Sequence, residues 1–225
     1  YGELYKNTKG NVWYYFHNHK WNEIEDGYSL REKLSTDVWD YYEKQRKDTF
    51  KQMHECSSTG SEEDRLDKIQ TKLCKLLNNL KTAPFKSNVM KEAREVFYDP
   101  KFHENLNQNP MIICFNNGVY DFELDEFRPG RPEDKLSKSL PIDYIKFSSD
   151  SKEVEEVDIF FKKIFPDESI RTYFLNHYCD LFIGGNLQKK IHFWIGEGDN
   201  GKSVTQNLFE KMLGHLSVKF DTTLF

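Results

Sequence analysis

The sequence predicts an α+β N-terminal domain, helices with short antiparallel hairpins, followed by the start of a P-loop α/β domain. Three observations carry that expectation. Runs of aromatic and β-branched residues around polar turns occur near Val12 to Ile24 and again from Met111 to Phe122. Charged stretches with apolar residues at helical spacing lie between and after them. Near the C-terminus, Gly196-Glu197-Gly198-Asp199-Asn200-Gly201-Lys202-Ser203 spells G-x-x-x-x-G-K-[ST] between a β-prone run and a helical one. The expected division is 1–152 for the N-terminal domain, and 153–225 for a helical lead-in with the P-loop start.

The composition bounds what such a chain can be. Its 225 residues suffice for one large or two small cores, and 15% aromatic content excludes a disordered tail despite 31% charged residues. A net charge of −5 gives no overall attraction to nucleic acid, so any such contact must come from local basic clusters. Cys56, Cys74, Cys114 and Cys179 lack metal-ligand spacing and suit reduced thiols in an intracellular setting. No apolar run reaches membrane length. A start at Tyr1 rather than Met suggests a segment of a longer polypeptide.

Taken in order, Val12-Trp13-Tyr14-Tyr15-Phe16 and Trp21-Asn22-Glu23-Ile24 flank His17-Asn18-His19-Lys20 and read as a hairpin. Its aromatics suit either base stacking or the buried face of a small sheet, and the second is the commoner use. His17 and His19 belong in the exposed turn. A helix is expected from Leu30 to about Cys56, ended by Ser57-Ser58-Thr59-Gly60-Ser61. Ser61 and Asp64 signal a cap for the next helix, whose stripe is Leu66, Ile69, Leu73, Leu76, Leu77 and Leu80. Lys68, Lys72 and Lys75 fall on its other side, as a solvated face or as phosphate contacts.

A shorter helix from Ser87 to Phe97 should stop before Asp99-Pro100. Two or three antiparallel strands follow, from Met111 to Phe127, with Asn116-Asn117-Gly118 and Leu124-Asp125-Glu126 as turns. Arg128, Arg131, Lys135 and Lys138 form a basic strip. Asp150 to Lys152 reads as a linker. Helices are then expected from Glu153 to Phe165 and Ser169 to Ile183, closed by Gly184-Gly185-Asn186.

The remaining segment carries chemistry. Ile191-His192-Phe193-Trp194-Ile195 reads as a strand, and Val204 to Leu213 as a helix ending at Gly214. Between them, Gly196, Gly198 and Gly201 let backbone N–H groups approach phosphate oxygens that side chains would block. The helix beginning near Lys202 points its positive end at the same place. Lys202 supplies a mobile cation for the β- and γ-phosphates, and the Ser203 hydroxyl suits Mg²⁺. The implied ligand set is ATP with Mg²⁺, held by Gly196, Glu197, Gly198, Asp199, Asn200, Gly201, Lys202, Ser203 and Val204. Such a string arises by chance in roughly one chain in a hundred of this length, given ordinary glycine usage.

Phe115-Asn116-Asn117-Gly118-Val119-Tyr120-Asp121-Phe122, with Arg128-Pro129, Lys135-Leu136-Ser137 and Leu140-Pro141-Ile142-Asp143-Tyr144, resembles the "NGV-x-D … P-x-x-Y" region of poxvirus-type primase–helicases. In these proteins of large DNA viruses that region precedes a superfamily 3 helicase domain, an AAA+-like ATPase. The form Gly196-x-Gly198-x-Asn200-Gly201-Lys202-Ser203 agrees with the loop those helicases favour. The resemblance runs from about Trp13 to Phe225 and is firmest from Met111 onward; Lys44 to Lys86 matches least.

The resemblance implies a viral replicative DNA helicase that assembles as a homo-oligomer, a hexameric ring, through its collar and ATPase domains. It implies ATP hydrolysis at subunit interfaces, translocation on single-stranded or forked DNA and contacts with other replication proteins; no membrane is expected as a partner, and the expected place is intracellular, the host cytoplasm in preference to the nucleus. Twenty-two residues follow Ser203, so the Walker B acid, sensor and arginine finger are expected beyond Phe225. The fragment alone should bind nucleotide weakly and hydrolyse it poorly. Two other classes fit parts of the sequence. One is an unrelated P-loop NTPase or nucleotide kinase, although such kinases place the loop near the start of their domain. The other is a non-enzymatic module for oligomerisation or partner docking.

Overall fold

Local residue choices build two small antiparallel sheets and seven helices among the described residues, an α+β chain. A computed structural model describes residues 1–55, 60–185 and 189–220. Cys56, the Ser57-Ser58-Thr59 break, Asn186 and the terminal stretch from Asp221 to Phe225 therefore lie outside the described residues. The chain divides into two compact units, residues 1–15 with 23–104, and residues 16–22 with 105–225.

β1 (Tyr5–Asn7) pairs with β2 (Trp13–His17), which in turn pairs with β3 (Lys20–Ile24); β1, residues 13–15 and residues 23–24 belong to the first unit, and residues 16–22 to the second. Sequence reading expected the β2–β3 hairpin but not β1, whose three residues are too short to show a period. The hairpin aromatics mostly face inward: Trp13 is fully buried and Tyr14 nearly so. Helices α1 (Tyr28–Ser35), α2 (Asp37–Glu55), α3 (Ser61–Leu80) and α4 (Ala83–Val96) complete the unit. Tyr5, Trp13, Leu30, Leu34, Leu80, Met90 and Ala93 form its core.

The single helix expected from Leu30 to Cys56 is two helices broken at Thr36, whose φ of −116° and ψ of −93° leave the helical region. The cause is tertiary. Lys81 Nζ donates to the Ser35 carbonyl at 2.7 Å, and Ser35 Oγ donates to the Leu80 carbonyl at 3.1 Å. A helix end with its carbonyl already satisfied has little to gain from another turn. Ser61 is the first helical residue of α3 rather than its cap, a place taken by Gly60 with no side-chain bond. Helix α4 starts four residues before the expected Ser87, because Pro84 is tolerated in a first turn where its missing N–H has no partner to lose. The Leu66, Leu77 and Leu80 stripe is buried, Ile69 is exposed, and Lys68, Lys72 and Lys75 are solvated.

The second unit centres on a meander of β4 (Ile112–Phe115), β5 (Gly118–Asp121) and β6 (Glu126–Arg128), with Phe115 opposite Gly118 and Val119 opposite Arg128. The chain after β6 returns along β4 in extended form: Leu140 N–H donates to the Cys114 carbonyl and Asn116 N–H to that of Ile142. Cys114, Val119 and Leu136 are the core, and burial pushes the Cys114 thiol up to about 11. His19 is half-buried rather than displayed, its Nδ1 accepting the Gly130 N–H at 3.1 Å.

Arg128 does not join a basic strip. It is nearly buried, donating from Nη1 and Nη2 to Asp134 at 2.8 Å each and from Nη2 to Asp121 at 3.1 Å. Asp121 also accepts the N–H groups of Glu123 and Leu124. Its burial raises the carboxyl pKa, but the Arg128 hydrogen bond and those backbone donors outweigh this and leave it lowered.

Removing one partner from a buried pair strands a charge, so Arg128→Met is expected to cost roughly 3–5 kcal/mol in urea unfolding. The Asp121 contribution has a definite sign. A lowered native pKa means the unfolded state takes up protons first, so this stability is complete above the ordinary carboxylate value of 3.8. It is lost as the pH falls below that value through the lowered one. Melting temperature against pH should show this acid limb, flattened in Asp121→Asn.

Candidate functional site

The Gly196–Ser203 string sits in the second unit at the start of α7 (Lys202–Leu213), after α5 (Lys152–Ile164) and α6 (Glu168–Cys179). Both preceding helices begin on side-chain caps. Ser151 Oγ accepts the Val154 N–H, and Asp167 accepts those of Ser169 and Ile170. Helix α6 stops at Cys179, four residues short of the expected Ile183, and turns through Asp180–Phe182 as a 3-10 segment. Arg171 of α6 donates to the Phe165 carbonyl at 2.8 Å, joining it to the end of α5.

Aromatic packing holds the string. Phe174 is buried and stacks on Tyr178 with ring centres 4.2 Å apart. Trp194 lies 5.5 Å from Phe174 and 5.4 Å from Tyr178. Phe209 of α7 stacks on Tyr178 at 4.7 Å. Trp194, two residues before the string, and the helix just after it thus rest on one α6 cluster, with contacts typical of favourable aromatic pairs.

The strand expected at Ile191 to Ile195 is not formed. These residues pair with no strand among the described residues, and Ile191, Phe193 and Ile195 are 80%, 80% and 94% exposed. A β-prone sequence needs a partner backbone to become a strand, and propensity does not supply one. Only Trp194 is drawn in.

Within the string, Lys202 Nζ donates to the carbonyls of Gly196 and Glu197 at 2.9 Å each and to Asn200 Oδ1 at 2.7 Å. The ammonium therefore sits inside the turn, ringed by oxygens. A Cβ at Gly196 would meet Asn200 Nδ2, the end of a side chain that would have to shift and so leave its place beside Lys202. Gly201 has φ 82° and caps α7, and a Cβ on it would meet Ile164 Cγ1 at 3.0 Å. Asp199 also lies in the left-handed region at φ 57°. Gly198 faces open space, and Ser203 and Val204 are exposed on the first helical turn. Thr205 is buried, its Oγ1 donating to the Gly201 carbonyl at 3.0 Å, which ties the turn to the helix.

The arrangement presents one cation, one exposed hydroxyl and a helix start whose first N–H groups have no partner inside the helix. That combination can hold an anion. Sequence reading located these residues but missed the Phe174, Tyr178, Trp194 and Phe209 cluster. Its helical signal was visible, but its joint use was not.

The family profile described as "D5 N terminal like" matches residues 1–167. The chain is 45% identical over 150 residues to "Putative helicase 121R" of Invertebrate iridescent virus 3, covering 66% of this chain and 16% of that protein. It is 34% identical over 224 residues to "Putative helicase L207/L206" of Acanthamoeba polyphaga mimivirus, covering 98% of this chain and 23% of that one. It is 23% identical over 147 residues to "Putative primase C962R" of African swine fever virus (strain Badajoz 1971 Vero-adapted), covering 62% and 15%. The chain thus spans less than a quarter of the length of these relatives.

Phe174→Ala is expected to lower stability by about 3–5 kcal/mol, as for other buried aromatics. The loss should be local. Amide exchange should rise across α7 and leave α3 and the β4–β6 meander close to their original protection.

Proposed function

The chain belongs to the D5 N terminal like family, and from that premise we propose that it is part of an ATP-dependent replicative DNA helicase, a primase–helicase of a large DNA virus. The observation that carries the nucleotide part of this reading is the ring of oxygens around Lys202 at the mouth of α7. A lysine held by loop carbonyls can exchange those neutral acceptors for charged ones, which bind it more strongly. The resemblance to relatives named as helicases and a primase supports the replicative part.

The residues present fit a nucleoside triphosphate with Mg²⁺. The turn is exposed, Gly198 leaves open space, and the first turn of α7 is uncapped by any side chain. In this reading Gly196, Glu197, Gly198, Asp199, Asn200 and Gly201 shape the cradle, and Lys202 neutralises the β- and γ-phosphates. Ser203 offers its hydroxyl as the metal ligand, and Val204 contributes a backbone N–H at the helix start. When bound, the triphosphate with its metal supplies phosphoryl-transfer chemistry. The part of this chain is to bind and orient it. The Asn200 amide keeps the ammonium inside the turn, and the Gly201 αL cap sets the direction of the helix axis.

The two units also divide the work. The loop lies in the second, while the first, built largely of helices α1 to α4, offers surface for assembly into a homo-oligomeric ring and for single-stranded or forked DNA.

Lys202→Ala is expected to abolish binding of a fluorescent ATP analogue to this chain. In the full-length parent it should stop strand separation driven by ATP, read on a forked DNA substrate. Retained unwinding would overturn the reading. Hydrolysis by the parent that single-stranded DNA fails to stimulate would favour an NTPase or kinase unrelated to unwinding.

A further inference from the structure

A cleft of about 560 Å³ opens in the first unit between the start of α1 and one face of α4. Arg31 comes from α1, and Ser87, Lys91 and Arg94 recur at helical spacing on α4. Arg31 Nη1 donates to Ser87 Oγ at 3.1 Å, which fixes the guanidinium against the wall. Among the described residues, no carboxylate is ion-paired with Arg31, Lys91 or Arg94. Tyr28, on the rim, is 68% exposed. Glu25 and Asp26 line the same opening from the turn before α1 and leave the cations unpaired.

We propose that this cleft binds single-stranded DNA, one nucleotide at a time in its grip. Arg31, Lys91 and Arg94 take the phosphodiester, Tyr28 stacks on a base, and Glu25 and Asp26 accept from exocyclic amino groups. A plain anion site would have no use for the two carboxylates, and they would weaken it. A protein partner rich in acid would meet the same repulsion. A strand that carries phosphate, a π-face and amino groups in one unit meets every group in the lining. Duplex DNA cannot, because its bases are stacked away from the tyrosine. The inference rests on the replicative reading above for its choice of DNA.

The test is fluorescence anisotropy of a short labelled oligodeoxycytidine with the whole 225-residue chain, titrated at several salt concentrations. Binding should weaken roughly tenfold in Lys91→Ala/Arg94→Ala, and the slope of log affinity against log salt should flatten by about 1.4. Tyr28→Ala should weaken binding by a similar factor without changing that slope. All these side chains are at the surface, and unchanged circular dichroism and melting would show that the variants fold. Unchanged oligonucleotide binding in both variants would overturn the inference, as would a wild-type chain that does not bind the oligonucleotide. Equal affinity for the matching duplex would overturn it too. Binding of the ATP analogue, lost in Lys202→Ala but kept in the cleft variants, reports separately on the loop.

Discussion

The second unit depends on a charge that water would otherwise claim. Arg128 is almost withdrawn from solvent, and only Asp121 and Asp134 make its burial tolerable. Even so, its Nε–H finds no acceptor among the described residues. Desolvating a guanidinium costs several kcal/mol, so both carboxylates must be in place before the sheet can close over it. Asp121 ends β5 and caps the following turn, while Asp134 closes the short turn after β6. The ion network thereby fixes where β6 begins, where it ends, and where the returning chain must lie.

This explains the residues that carry the family resemblance. Asn117 clamps the backbone of Tyr144, donating from Nδ2 to its carbonyl at 3.0 Å and accepting its N–H at 2.8 Å. Gly118 has no room for a Cβ, which would lie 2.5 Å from Phe127 and 2.8 Å from the Arg128 carbonyl. Val119 is fully buried, and Tyr144 stacks on Phe127 at 4.4 Å. Asn117, Gly118, Val119, Asp121 and Tyr144 of the NGV-x-D and P-x-x-Y strings thus have packing or pairing duties in this unit.

Much of that fold was legible in the sequence, for reasons that can be assigned. The hairpins announced themselves because aromatic runs flank polar turns, and α3 did because its leucines repeat at helical spacing over about four turns. The turn before α7 was legible because its glycines stand just ahead of a run with helical spacing. What stayed hidden is what depends on distant partners. Arg128 looked like a surface cation, yet it is buried between Asp121 on the neighbouring strand and Asp134 in the turn after β6. Thr36 looked helical until Lys81 claimed the carbonyl before it. Ile191 to Ile195 looked like a strand, yet a strand is a property of a pair. The cleft brings Arg31 together with Lys91 and Arg94, about sixty residues away in sequence, and no local pattern predicts that.

Electrostatics reconciles an acidic chain with a DNA-directed reading. The net charge of −5 opposes a polyanion at long range. At physiological ionic strength, however, the screening length is about 8 Å. Beyond that distance the excess acid is largely invisible to an approaching strand. Inside it, the strand meets three cations with no ion-pair partner and one exposed ring. Short-range contact then decides the outcome, and long-range repulsion lowers the rate of encounter more than the strength of the final grip. The same argument applies to the loop, where Lys202 lies within 3 Å of three oxygens. In the proposed reading both sites work within a screening length, so their specificity would come from the arrangement of neighbours rather than from the charge of the whole.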